Sequence, residues 1–399
     1  LAKHLETAAR ALEDGEFSKA LEYASKALAR DQYDMEALNT AAIAATHLGE
    51  FQRAVAFYEQ ALVVHGETAE IYNNIGLLYA HMGDHKGAIK IYREALALAQ
   101  DSSEIYLNLA NSLGEAGQEE ASLAAYDEAL RLEPGMEDAL FNKAVTLNRL
   151  GMYDDASGIF GQLLDARPGD PKTMEARAFS LSMSGHPKEA LALYDRALPL
   201  MPSSPSLLYS RALALEGLGR LEEAVDSLDR ALEMDPDFPG TRMEKANILG
   251  DLGRDEEALA LYSAEAERSP SDPTVFYNRG ISYERLGSHG DALADFDRSL
   301  ALEPGNMDAM NNKGNTLLAL GRLEEALGCF DAMIKADRKN VTAYYNKACT
   351  LARMGDGPGA CGALRKAAQI DKAVLQDAAK DPDFDRIRQT GDFGSLMPG

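Results

Sequence analysis

Cysteine is scarce, basic residues are outnumbered, and no long apolar run occurs anywhere in the chain. The three cysteines, Cys329, Cys349 and Cys361, are odd in number and show no Cys-x-x-Cys spacing. That excludes a disulfide framework or thiolate metal site and fits small buried hydrophobes in a reducing compartment, for which the cytoplasm is the default. Against 64 Asp and Glu stand 40 Lys and Arg, giving a formal net charge of −24 and a pI near 4.7. Phosphate backbones are repelled by such a surface, so nucleic acid is a poor partner and a basic or polar protein segment a better one. The same acids also serve simply to solvate a large surface. No apolar stretch approaches the ~20 residues of a membrane-spanning helix. The chain opens Leu1-Ala2-Lys3 without an initiator Met or a secretory h-region, as expected of a piece of a longer protein. Catalytic signatures are missing too: there is no P-loop, no Gly-x-Ser-x-Gly and no His-Glu-x-x-His. His81 and His85 are four apart but straddle Gly83, so they do not share a continuous helix. His47 and His81 could approach across a repeat boundary, but lack the thiolate and carboxylate company of a metal site. No enzyme activity, metal or cofactor is expected.

What the chain has in abundance is order. Glycines stand at Gly15, Gly49, Gly83, Gly117, Gly151, Gly185, Gly219, Gly253, Gly287, Gly321 and Gly355, every interval being 34 residues. In the frame this sets, repeats begin at residues 1, 35, 69, 103, 137, 171, 205, 239, 273, 307 and 341. Position 8 is always Ala or Gly, as in Ala8, Gly76, Ala144, Gly280 and Gly314. Position 20 is Ala in all repeats except for Ser122. Position 24 is mostly aromatic (Tyr58, Tyr92, Tyr126, Phe160, Tyr194, Tyr262, Phe296, Phe330), and position 32 is Pro at Pro134, Pro168, Pro202, Pro236, Pro270 and Pro304.

These columns have mechanical meanings. Apolar residues recur at helical spacing between the glycines, as in Ile71-Ile75-Leu78-Tyr79 and Ile89-Tyr92-Leu96. Glycine ends the first helix in a left-handed conformation, and proline stops the second. Small residues at 8 and 20 let the two helices touch, and the aromatic at 24 is expected to fill the gap towards the next repeat. Each hairpin leaves an apolar face open and must stack on its neighbour.

The period of 34 with small 8 and 20, aromatic 24 and proline 32 resembles the tetratricopeptide-repeat (TPR) family over residues 1–374. The resemblance implies an all-α, right-handed superhelical solenoid of eleven helical hairpins. First helices would line a concave groove and second helices the convex back. Residues 375–399 leave the frame: Val374, Leu375, Ala378 and Ala379 extend a helix to Pro382, and Phe384, Ile387, Phe393 and Leu396 can cap the last open face. Gly158 and Gly161 within a second helix, with Pro199, Pro202 and Pro205 following, predict a softer joint near residues 158–205.

Two polar columns stand out. Position 7 is basic from Lys143 onwards (Arg177, Arg211, Lys245, Arg279, Lys313, Lys347), and Asp127, Asp195, Asp229, Asp297 and Asp331 lie 16 residues before five of these. That predicts an ion-pair ladder across repeat boundaries, which Arg177 and Arg279, following Gly161 and Ser263, lack. Position 6 is Asn at Asn74, Asn108, Asn142, Asn278, Asn312 and Asn346, a ladder broken by Ala176, Ser210 and Glu244. A carboxamide carries a donor and an acceptor and can read a peptide main chain regardless of side chain. By resemblance, position 6 faces the groove, where asparagine ladders hold extended peptides. Asn111, Asn247 and Asn315 at position 9 and Tyr209, Tyr277 and Tyr345 at position 5 would extend this peptide-binding surface, with groove acids Glu244, Asp251, Glu284 and Asp308 favouring basic segments. Inherited asparagines bonding across adjacent helices fit the same column equally. Positions 2, 5 and 6 lack the basic set that clamps a chaperone C-terminus: only Lys172 is basic there. The expected function is a non-catalytic protein-interaction scaffold holding an extended segment. The alternative is the substrate-recognition TPR region of a larger enzyme such as a glycosyltransferase.

Overall fold

A computed structural model describes residues 1–396, and in them the chain is built of α-helices with short connections. It divides into two compact units, Leu1–Pro202 and Ser203–Gly399. The first holds α1 (Ala2–Glu13), α2 (Phe17–Leu28), α3 (Met35–His47), α4 (Phe51–His65), α5 (Ala69–His81), α6 (His85–Leu98), α7 (Ser103–Glu115), α8 (Glu119–Leu132), α9 (Glu137–Arg149), α10 (Tyr153–Ala166), α11 (Pro171–Met183) and α12 (Pro187–Ala197). The second holds α13 (Pro205–Gly217), α14 (Leu221–Met234), α15 (Thr241–Asp251), α16 (Asp255–Arg268), α17 (Pro273–Arg285), α18 (His289–Leu302), α19 (Met307–Ala319), α20 (Leu323–Ala336), α21 (Val341–Met354), α22 (Gly357–Ile370), α23 (Val374–Ala378) and α24 (Gly391–Gly394). Among the described residues no helix is long and apolar enough to cross a membrane.

Each hairpin turn is made as the glycine column requires. All eleven frame glycines take φ between 70° and 87°, a region that a β-carbon disfavours. At Gly83 the turn closes with Gly83 N–H on the Ala80 carbonyl (3.0 Å) and Asp84 N–H on the Tyr79 carbonyl (3.0 Å), the paired bonding that satisfies a helix C-terminus. First helices start on a side-chain cap at frame position 34: Asp34, Thr68, Ser102, Asp170, Ser204, Asp272, Asn306 and Asn340 each accept a backbone N–H from the first turn. Such caps are worth about 1 kcal/mol each. Prolines follow the ends of α8, α10, α14, α16 and α18. In contrast, α12 stops early at Ala197, and the first unit ends at Pro202, inside the stretch expected to be weak. The Arg177 guanidinium lies over Gly161, 3.3 Å from where a β-carbon would stand.

The aromatic column does two things. Its ring lies beneath position 8 of its own hairpin, and its edge reaches the next repeat, where Tyr92 bonds to Ser112 and Tyr126 to Thr146. A β-carbon on Gly280 would sit 2.8 Å from Cε1 of Phe296, and one on Gly314 would sit 2.6 Å from Cε1 of Phe330. Tyr92, Phe160, Phe296 and Phe330 are wholly buried there. Within each unit, second helices pack on the following first helices. Consecutive first helices also touch, as α3 with α5, α7 with α9, and α17 with α19, while consecutive second helices make no comparable contact among the described residues. The first-helix side is therefore the tighter, inner side of each unit.

The predicted ladder of charges is present, with one addition. Lys143 meets Asp127 (2.6 Å), Lys313 meets Asp297 (2.6 Å), Lys347 meets Asp331 (2.5 Å), and Lys245 pairs with Asp229. The aspartates are about half exposed, so each pair contributes about 0–1 kcal/mol. Asp195 and Arg211 fall on either side of the division between units, and Arg211 donates to Ser227 (2.6 Å). Arg279, expected to lack a partner, has the best one: Asp295 of its own hairpin takes its Nε (2.6 Å) and Nη2 (2.7 Å), both side chains being largely buried. That bidentate fork is stronger than a lysine point contact.

Beyond α22, Phe384, Ile387 and Phe393 are buried against Ala348, Cys361 and Leu364. Asp381 fastens this segment, accepting from Tyr345 Oη (2.8 Å) and Cys349 Sγ (3.7 Å) through Oδ2 and from the Asp383 amide (2.9 Å) through Oδ1. Cys349, Asp381 and Asp383 bring three ligand-type atoms within 4.8 Å of one another, a cluster that this docking accounts for.

The ring-under-glycine contact predicts opposite outcomes for two glycines of one hairpin. Gly314→Ala should lose about 1–3 kcal/mol in chemical denaturation, because the wholly buried Phe330 ring cannot move aside. Gly328→Ala, in α20 with nothing within 4 Å of a new β-carbon, should gain about 0.5–1 kcal/mol by restricting the unfolded chain. Equal effects would contradict the packing described.

Candidate functional site

The asparagine column lies on the first-helix side and is engaged throughout. Asn74 Nδ2 donates to Asn39 Oδ1 (2.7 Å), Asn108 to Asn73 (3.0 Å), Asn142 to Asn111 (3.0 Å), and Asn278 to Asn247 (3.0 Å). Asn312 donates to Tyr277 Oη (3.4 Å), and Asn346 to both Asn311 (2.9 Å) and Asn315 (3.3 Å). One rule covers all six: the position-6 carboxamide donates backwards to position 5 or 9 of the preceding first helix. Each amide is thus a strut between repeats, and its orientation is set by the bond it makes. Among the described residues no protein group donates to Oδ1 of Asn142, Asn278, Asn312 or Asn346. Bracing draws on the N–H groups, with one bond from each amide except Asn346, which makes two, and leaves these four carbonyls for another partner.

The tyrosines divide. Tyr277 is half-buried and accepts from Asn312. Tyr209 packs near Phe238, ring centroids 6.1 Å apart, with its hydroxyl against Gly240. Tyr345 is turned to the C-terminal segment instead: its hydroxyl binds Asp381 and its ring meets Phe384 at 5.9 Å. Nothing in the frame signalled that, because the tail has no repeat position.

Where the ladder is broken at Glu244, two acids meet. Burial, a hydrogen bond with Glu216 and the Glu216 charge push the Glu244 carboxyl from its ordinary value of 4.5 up to about 7, with Asp251 adding to the shift and a bond from Asn247 opposing it. Glu284, also expected on this face, is held by His289 Nδ1 (3.1 Å). His47 and His81 do approach, ring centroids 5.1 Å apart, but His47 stacks on Phe17 (4.2 Å) and His81 Nδ1 binds the Leu77 carbonyl (2.9 Å). They form a packed pair, in which burial and the neighbouring His81 lower the His47 pKa.

The profile of the tetratricopeptide repeat matches residues 107–171 and, in overlapping windows, 180–374; a second profile of the same repeat matches 34–101 and 67–133. The chain belongs to the tetratricopeptide-repeat family. No curated protein matches the sequence. Among solved structures, a TPR protein from Parabacteroides merdae is 20% identical, with 63% of this chain and 100% of that one covered and a TM-score of 0.49. The Cut9–Hcn1 hetero-tetramer of APC/C is 13% identical, covering 98% and 95% with a TM-score of 0.46. Naa15/Naa10 bound to HypK-THB is 18% identical, covering 99% and 67% with a TM-score of 0.36. TPR proteins are in general protein-interaction scaffolds.

The Glu244 pair on this TPR face has a consequence for stability. A carboxyl whose folded-state pKa is raised binds its proton more tightly when folded, so its contribution is complete below the unfolded value and lost as pH rises through the folded one. The second unit should therefore lose stability between about pH 4.5 and about pH 7. Glu244→Gln should flatten that dependence in denaturant titrations. An unchanged pH profile in the variant would show that the acids do not share this environment.

Proposed function

We propose that the chain is a non-catalytic interaction scaffold whose first-helix face holds an extended protein segment. The supporting observation is the state of the position-6 asparagines: Asn142, Asn278, Asn312 and Asn346 are each fixed by a bond to the preceding repeat, while among the described residues no protein group donates to their carbonyls. A row of fixed carbonyls and remaining amide hydrogens matches a peptide main chain, giving affinity that depends little on sequence. In this reading the face comprises Asn74, Asn108, Asn111, Asn142, Asn247, Asn278, Asn312, Asn315 and Asn346, with Tyr209 and Tyr277 as apolar anchors and Tyr345 given over to the tail. Glu244, Asp251 and Asp308, on a chain of net charge −24, favour a basic segment and binding that weakens with salt. Eleven hairpins over residues 1–374 and a capping tail over 375–399 remain the organisation we propose. The free thiols, two of them buried, suit the cytoplasm.

Peptides selected from a random library on the full chain provide the test. Asn142→Ala with Asn278→Ala should weaken their binding on the order of tenfold, since each lost main-chain bond is worth about 0.5–1.5 kcal/mol. Both substitutions also remove a strut, so the control is Lys143→Met with Lys245→Met, which breaks one ion pair at the boundary that Asn142 braces and one at the boundary preceding that of Asn278. Binding that is indifferent to the asparagines but sensitive to the lysines would place the segment elsewhere.

A further inference from the structure

Two clefts, one in each unit, share a single design. The first, of about 210 Å³, is bordered by Asn111, Gly114, Glu115, Tyr126, Asn142 and Arg149. The second, of about 220 Å³, is bordered by Asn247, Gly250, Asp251, Tyr262, Asn278 and Arg285. These residues correspond one to one in the frame, four repeats apart. Asparagine at position 9 and tyrosine at position 24 coincide only in these two repeats; Asn315, the remaining position-9 asparagine, goes with Phe330.

The tyrosine hydroxyl is what distinguishes these clefts. Tyr126 donates to Asn111 Oδ1 (2.6 Å), which also receives Asn142 Nδ2 (3.0 Å). Tyr262 donates to Asn247 Oδ1 (2.8 Å), which also receives Asn278 Nδ2 (3.0 Å). Two donors saturate one carbonyl and fix which way that carboxamide is turned. The floor of each cleft then offers an amide N–H from the position-9 asparagine and an amide carbonyl from the position-6 asparagine. Glu244 takes one N–H of Asn247 and leaves the other. The rim carries charges of both signs. Arg149 Nη2 stands 3.3 Å from Glu115 Oε1. Arg285 Nη1 donates to the Gly250 carbonyl (2.6 Å), with Asp251 on the same cleft. A β-carbon on Gly250 would come within 3.3 Å of Arg285 Nη1, so glycine is what seats the guanidinium there.

We propose that each cleft is a subsite for a neutral carboxamide side chain, Asn or Gln, of the bound segment; this rests on the reading of the first-helix face as a segment-binding surface. A carboxamide matches the N–H and C=O of the floor. A carboxylate would face Glu115 or Asp251, and an ammonium group would face Arg149 or Arg285. An aliphatic group would strip water from the floor amides and replace none of their bonds. Tyr126 and Tyr262 are positioning residues, acting through the asparagines they orient.

The test compares the full chain with its Tyr126→Phe/Tyr262→Phe variant on peptides selected from a random library. Phe occupies position 24 at Phe160, Phe296 and Phe330, so the variant keeps its core. Peptides selected on the parent should carry Asn or Gln at a recurring position, and replacing that residue by Glu, Lys or Leu should weaken binding about fivefold. In the variant this preference should disappear while the peptides still bind. Selected peptides without a recurring carboxamide, a preference that survives both Tyr→Phe changes, or tighter binding of Lys than of Gln would each overturn the proposal. Selection of no peptide at all would overturn the segment-binding reading on which it rests.

Discussion

The structure depends on one close approach, the ring at position 24 lying under a residue with little or no side chain at position 8. It holds the two helices of a hairpin together at a distance no larger residue permits, and it recurs wherever position 24 is aromatic, Ala24, Leu228 and Leu364 standing there in the other repeats. Tyr92 under Gly76 and Phe330 under Gly314 are its tightest cases. The ring also reaches the following repeat, and further cohesion between hairpins comes from other groups. Apolar residues do most of this between second and following first helices, helped by the lysine–aspartate pairs on one side and the asparagine struts on the other.

The same ring joins the core to the candidate site. Where it is tyrosine and position 9 is asparagine, its hydroxyl emerges from the core at the first-helix face and sets the orientation of a carboxamide. A residue chosen for packing thereby fixes polar groups on the surface. In the proposed reading the asparagines serve two ends as well. Each spends an N–H on the preceding repeat, so bracing and recognition would draw on different atoms of one side chain. That reading couples stability and binding on this face: removing an amide would weaken both.

Much of the fold was legible in the sequence because its constraints are local. A glycine with positive φ, a small residue beneath a ring and a proline after a helix each follow from geometry within one hairpin. The ion-pair ladder was legible because aspartate and lysine recur together at a spacing of 16 residues, a relation between columns that needs no coordinates. Two partnerships were hidden for opposite reasons. Arg279 finds Asp295 at the same spacing in the other direction along the chain, which a one-way comparison of columns cannot show. Tyr345 turns to Asp381, in a segment outside the repeat. The backward donation of every position-6 asparagine was open as one of two readings, and only the rotation of adjacent first helices shows which atoms it uses. The twin clefts required the tyrosine hydroxyl to be placed against the position-9 asparagine, which periodicity does not show.

The central claim is that the first-helix face binds through amides already fixed by the fold. Side-chain amide resonances of the asparagines in the free chain, and again with a library-selected peptide bound, test it most directly. The account predicts NH2 signals of Asn142 and Asn278 that are displaced from those of a free asparagine and slow to exchange with solvent before binding, and shifts concentrated on these and their first-helix neighbours after it. Fast-exchanging signals at free-asparagine positions, or shifts confined to second-helix residues, would contradict it.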